Sequence, residues 1–172
     1  MLEATPYDPY NPPDGRVHLS DLPAGRAIVH LKAWTGAAGA SAGVTSLAID
    51  GARLKALGPR EWLLLSDALG GPALQAAVAA WVRERGIAAV DLSQGIGGLC
   101  LAGPGVRDML STSCGLDLHS RSFPVGSCTR TRLAQLPVVI DHMGAEPRYE
   151  LYVGISYLPY LRSWLLDAAS GN

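Results

Sequence analysis

Neither sign of charge dominates this chain. Fourteen basic residues face fifteen acidic ones across 172 positions, a net charge of −1. Phosphate binding needs clustered positive charge, so this balance argues against nucleic acid as a partner. It equally disfavours an anionic membrane surface. Long apolar runs are missing too: no stretch approaches the roughly 20 residues that span a bilayer. The opening MLEATPYDPYNPPDG lacks the basic start and apolar run of a secretion signal. Cysteine is sparse. Cys100, Cys114 and Cys128 cannot all pair within the chain, and no two show the Cys-x-x-Cys spacing of a metal or redox site. They read as reduced thiols in a reducing compartment. The expectation is a soluble, cytoplasmic protein.

Apolar residues, by contrast, are plentiful at 48%, so disorder is not the default. The length suits one domain, or two small lobes sharing a core. Pro6, Pro9, Pro12, Pro13 and Pro23 deny residues 1–26 a helix or a central strand. Tyr7 and Tyr10 alternate with those prolines, so the segment reads as an extended arm that either folds back on its own domain or lies along another protein. The folded domain is expected over 27–172.

Within it, Ala27–Trp34 reads as a strand, and the small residues of TGAAGASAG as a flexible loop. Val44–Asp50 reads as another strand, and Asp50-Gly51 as a hairpin-turn signal before RLKAL. Gly58-Pro59 marks a turn, and EWLLLSD a buried strand. Pro72 opens a helix whose Leu74, Ala77, Val78, Trp81 and Val82 share one face, and Gly86 closes it. IAAVDLS and GIGGLCLAG follow as strands, and Pro104 starts a second helix ending near Cys114-Gly115. CTRTRLAQLPVVIDHM reads as one long strand region and RYELYVGI as another. A last helix over 158–169 places Leu158, Leu161, Leu165 and Ala168 together. Strand pairs divided by single helices predict an α+β fold of mostly antiparallel sheets, with split β-α-β units and three main helices.

A catalytic constellation does not emerge. His18, His30, His119 and His142 are not spaced as metal ligands. Gly95-Ile96-Gly97-Gly98 lacks the full GxGxxG spacing and leads into a strand rather than a helix, so it is not a dinucleotide loop. Ser93, Ser111 and Ser113 lack the Gly-x-Ser-x-Gly setting of an activated serine. Asp91, Asp108, Asp117 and Asp141 fall at element ends, where isolated acids cap or stay solvated. The densest polar stretch is DLHSRSFPVGSCTRTR, from Asp117 to Arg132. Arg130 and Arg132 stand two apart on a strand and share a face. With Arg121 they form a basic patch for an acidic ligand or a partner's carboxylates, unless they are solvated or internally paired. No residue is assigned a catalytic or metal-binding role. Tyr7, Tyr10, Trp34 and Arg121 are candidate partner contacts, because aromatics and arginine are favoured at interfaces.

VDLSQGIGGLCLAGPGVRDMLSTSCGLDLHSRSFPVGSCTRTRLAQLPVVI, followed by RYELYVGISYLPYLRSWLLDAA, closely resembles the gamma subunits of bacterial heterotetrameric sarcosine oxidases, and LGPREWLLL fits the same family. The likeness covers about residues 44–169. It implies a fold similar to the folate-dependent aminomethyltransferases of the glycine-cleavage T-protein group. It implies work inside a complex with alpha, beta and delta subunits, the alpha subunit being the most direct neighbour. Such complexes oxidise the N-methyl group of sarcosine, giving glycine, hydrogen peroxide and formaldehyde, or 5,10-methylenetetrahydrofolate when folate is present. FAD, FMN, NAD, zinc and tetrahydrofolate are then expected in the partner subunits and none in this chain. One departure is visible: the family often has an arginine just before the Ser-Tyr of the closing motif, where Ile155 stands here. Two other readings stay open: a stand-alone folate-binding or aminomethyl-transferring protein, and a scaffold for unrelated chemistry.

Overall fold

The computed structural model describes residues 9–10, 15–34 and 47–170. The chain divides into two compact units, Pro23–Ile96 and the combination of Met1–Leu22 with Gly97–Asn172.

The Pro23–Ile96 unit is a four-stranded antiparallel sheet with one helix. Its strands are β2 (Ala27–Ala33), β3 (Ala52–Gly58), β4 (Glu61–Ser66) and β5 (Ile87–Asp91), in the order β3-β4-β2-β5. Alternation along β2 sends Ala27, Val29, Leu31 and Ala33 to one face, where Trp62 and Leu64 of β4 join them. Helix α1 (Gly71–Glu84) buries Leu74, Val78 and Val82 against that face. Proline in its first turn costs no hydrogen bond. The positive φ of 62° at Gly86 turns the chain out after the helix, as its sequence position predicts. Of the strand expected at Val44–Asp50, only residues 47–50 are described. Leu47–Ile49 are not in a strand, Gly51 carries the turn at φ 72°, and the strand forms over Ala52–Gly58. Val44–Ser46 lie outside the described residues.

The second unit is a five-stranded sheet ordered β1-β6-β9-β8-β7. Its strands are β1 (His18–Asp21), β6 (Ile96–Ala102), β7 (Cys128–Leu133), β8 (Leu136–Gly144) and β9 (Arg148–Gly154). Helices α2 (Val106–Ser111) and α3 (Leu158–Ser170) supply Val106, Met109, Leu110, Leu161 and Leu165 to a core that also holds Leu99, Leu101, Ile140, Tyr149 and Leu151.

Three expectations change here. CTRTRLAQLPVVIDHM is two strands, because Ala134 and Gln135 take φ values of 49° and 68° and form a two-residue hairpin turn. The second helix begins at Val106, after a Pro104-Gly105 turn, and ends at Ser111. The segment 1–26 is not wholly an arm. Val17 and Leu19 are core residues, β1 pairs with β6, and Tyr10 exchanges backbone hydrogen bonds of 2.9 and 3.0 Å with Leu19, lying back on its own unit. Tyr7 lies outside the described residues. No helix among the described residues is long and apolar enough to cross a membrane.

Candidate functional site

The Asp117–Arg132 stretch folds as a tightly bonded loop leading into an edge strand. Asp117 accepts from the His119 amide at 2.9 Å and from the Ser122 hydroxyl at 2.5 Å. Those bonds, the Ser122 hydroxyl first, hold its carboxyl below the ordinary value of 3.8. The His119 carbonyl accepts from the Ser122 and Phe123 amides, completing a turn. Phe123 is thereby driven inward onto His142, at 6.0 Å and 10° between the rings. His142 has no solvent exposure and stacks on its other side with Tyr149, at 4.6 Å and 17°. Its Nδ1 lies 2.9 Å from the Phe123 carbonyl. A carbonyl only accepts, so Nδ1 carries the hydrogen. Tyr149 in turn accepts from Arg107 Nε at 3.0 Å.

The arginines are placed as follows. Arg121 is exposed in this loop, and its backbone amide bonds His119 Nδ1 at 3.3 Å. Arg130 and Arg132 are exposed on β7, the edge strand, opposite Val139 and Pro137. Arg132 donates to the Gln135 carbonyl at 3.2 Å, bracing the hairpin turn.

The face of the sheet that carries Arg130 also carries two acids that sequence reasoning did not bring together. Asp141 of β8 stands directly opposite Glu150 of β9, at 0% and 3% exposure. Tyr152 donates to Glu150 at 2.7 Å. No sequence signal marks the pair, because it exists only through the β8–β9 register. Arg162 was likewise missed. It is buried on α3 and paired with Asp21 of β1, fastening the closing motif to the edge strand. Gly97 and Gly98 of Gly-Ile-Gly-Gly are packing sites: a Cβ on Gly97 would meet Leu158 and Ile155, and one on Gly98 would meet Leu22 and the Leu151 carbonyl.

Serines examined as nucleophiles serve structure. Ser93 donates to Asp91 at 2.5 Å and accepts from the Ile28 amide at 2.9 Å, while Ser111 donates to the Asp108 carbonyl at 2.7 Å. Among the described residues, no three His, Cys, Asp or Glu side chains are grouped to hold a metal.

The Pro23–Ile96 unit carries an open groove of about 610 Å³. It lies where β2 ends, beside the β3–β4 turn and β5, and is lined by Lys32, Trp34, Pro59, Arg60, Glu61 and Ala88 among others. Trp34 is 68% exposed. Glu61 is held by His30, Nε2 to Oε1 at 2.7 Å.

Comparison with known proteins is consistent with this architecture. Residues 23–171 match the model of the sarcosine oxidase, gamma subunit family. The sarcosine oxidase subunit gamma of Corynebacterium sp. strain U-96 is 32% identical over 154 residues, 88% of this chain and 73% of that relative. That of Corynebacterium sp. strain P-1 is 33% identical over 128 residues, 74% of this chain. The chain spans 62% of the P-1 relative's length. In structure, a chain of the heterotetrameric sarcosine oxidase from Corynebacterium sp. U-96 in complex with pyrrole 2-carboxylate superposes with a TM-score of 0.76 at 28% identity, over 90% of this chain and 84% of that one. Glycine cleavage system aminomethyltransferase T from Bartonella henselae shares the fold, with a TM-score of 0.60 at 16% identity over 86% of this chain and 45% of that one. The chain belongs to the sarcosine oxidase gamma subunit family.

Proposed function

We propose that this chain is a bracing subunit of a cytoplasmic, heterotetrameric, sarcosine-oxidase-type flavoenzyme, with no active site of its own. The complex oxidatively demethylates sarcosine or a related N-methyl amine to glycine, hydrogen peroxide and formaldehyde, or to 5,10-methylenetetrahydrofolate. Alpha, beta and delta subunits carry the FAD, FMN, NAD, zinc and tetrahydrofolate, and the alpha subunit is the direct neighbour of this chain.

The observation that carries this reading is the family match over nearly the whole chain, joined to the superposition on a chain of a heterotetramer. The use of the polar side chains supports it. The acids and hydroxyls that sequence reasoning weighed for chemistry tie turns and strands together, as Asp117, Asp91, Ser93 and Ser111 do.

Purified alone, the chain is expected to show no flavin absorbance and no amine oxidation. Co-expressed with alpha-, beta- and delta-type subunits, it is expected to purify in a fixed ratio with them. Failure to associate with any alpha-type subunit sinks the reading. Calorimetry with tetrahydrofolate separates the stand-alone alternative, since saturable micromolar binding by the isolated chain would transfer the folate site to it.

A further inference from the structure

We infer that the groove at the end of β2 is a docking seat for an acidic, apolar-tipped segment of a partner subunit. The inference deepens the subunit reading above and rests on it.

The groove arises from strand alternation. Ala27, Val29, Leu31 and Ala33 point to the helix-covered core, so His30, Lys32 and Trp34 emerge on the opposite face. Trp34, Pro59 and Ala88 give the groove an apolar lining. Its volume, about 610 Å³, lies within the range of sites that enclose a ligand or an anchoring side chain, about 300–1,000 Å³. A tryptophan left 68% exposed beside such a groove is the residue type that dominates interface energetics once covered.

Charge selects the occupant. Lys32 and Arg60 flank the groove, and among the described residues neither side chain makes a hydrogen bond or ion pair. The one carboxylate lining the groove, Glu61, is engaged by His30. Two cations against one carboxylate give the groove a net positive lining around an apolar floor. Its complement is a segment with Asp or Glu beside an apolar or aromatic side chain.

The manner of entry is also constrained. β5 is an edge strand, which invites strand addition. Its Ala89 carbonyl is already taken by Gln75 of α1, whose Nε2 donates at 2.9 Å. That bond occupies one acceptor of the β5 edge, whereas the end of the sheet at Trp34 and the β3–β4 turn holds the groove.

The test uses the complex reconstituted by co-expression with alpha-, beta- and delta-type subunits. Trp34→Ala is expected to weaken assembly about 30-fold, the size of an interface anchor's loss. The double reversal Lys32→Glu/Arg60→Glu is expected to weaken it at least about tenfold and to flatten its salt dependence. Both variants should keep the melting temperature of the isolated wild-type chain. A photoreactive phenylalanine analogue in place of Trp34 should crosslink to an Asp- or Glu-bearing segment of a partner subunit. Wild-type affinity in both variants, or crosslinks only to residues 35–46 of this chain or to a second copy of it, overturns the proposal while leaving the subunit reading standing. A wild-type chain that does not assemble at all removes the subunit reading and this proposal together.

Discussion

The two units bury polar residues to different extents. In the unit built on β6–β9, polar and aromatic side chains are turned inward. His142 lies between Phe123 and Tyr149, Arg107 holds the Tyr149 hydroxyl, Tyr152 holds Glu150, and Arg162 clamps Asp21. In the Pro23–Ile96 unit the core is almost wholly aliphatic, and Lys32, Arg60 and Trp34 stand at an open groove. The richest motif in the sequence, Asp117–Arg132, sits in the first unit and spends many of its special residues on its own fold. Motif density here reports what one loop needs to hold its shape. The plainer unit carries the open groove beside Trp34.

The sharpest way to break this contrast is to remove a stacked ring. Tyr149→Ala deletes a fully buried ring, its contact with His142 and the Arg107 hydrogen bond. It is expected to cost about 4 kcal/mol in urea unfolding of the chain. A loss under about 1 kcal/mol would mean the stack is incidental. Next comes Arg162→Met, which leaves Asp21 without its partner. Asp21 is 38% exposed, so the expected loss is discounted to about 2 kcal/mol.

A smaller effect is expected in the other unit, at Asp67. Arg26 donates to it at 2.6 and 3.0 Å, and those bonds, aided by the charges of Arg26 and Arg53, hold its carboxyl below the ordinary value of 3.8 despite the opposing effect of burial. A lowered folded value means the pair's contribution is present above about pH 3.8 and disappears as pH falls through the folded value below it. Asp67 is 46% exposed, so Asp67→Asn is expected to cost about 1 kcal/mol at neutral pH and to flatten the acid limb of the stability profile. An unchanged acid limb would assign the pH dependence to other groups. Asp117 follows the same sign at full exposure. Asp117→Asn is expected to speed amide exchange at His119 above that pH range, with little change in global stability.

Local signals carried much of the fold. Pro72 and Gly86 bracket α1, and the period of Leu74, Val78 and Val82 marks its buried face. The α+β class and the closing helix were equally readable. What was not readable depended on backbone conformation or on register. Ala134-Gln135 lacks the glycine or asparagine that announces a hairpin, yet tertiary pairing of β7 with β8 imposes positive φ on both residues. The strand at Ala52–Gly58 follows the Asp50-Gly51 turn signal, but its extent is set by pairing with β4 rather than by any apolar run. At the candidate site, Trp34 and the arginines were visible as residue types. The meeting of Trp34 with Pro59, Arg60 and Ala88 was not, because those residues come from the end of β2, the β3–β4 turn and β5. The Asp141–Glu150 opposition likewise needs the β8–β9 register.

The account holds that the motif-dense unit stabilises itself while the plainer unit holds the partner. Its most direct test measures melting temperature and assembly affinity side by side for Trp34→Ala and Tyr149→Ala in the reconstituted complex. The account predicts that Trp34→Ala loses affinity with its melting temperature unchanged, and that Tyr149→Ala lowers the melting temperature well before it affects affinity at permissive temperature. Full affinity in Trp34→Ala, together with lost affinity in a still-folded Tyr149→Ala, would contradict it.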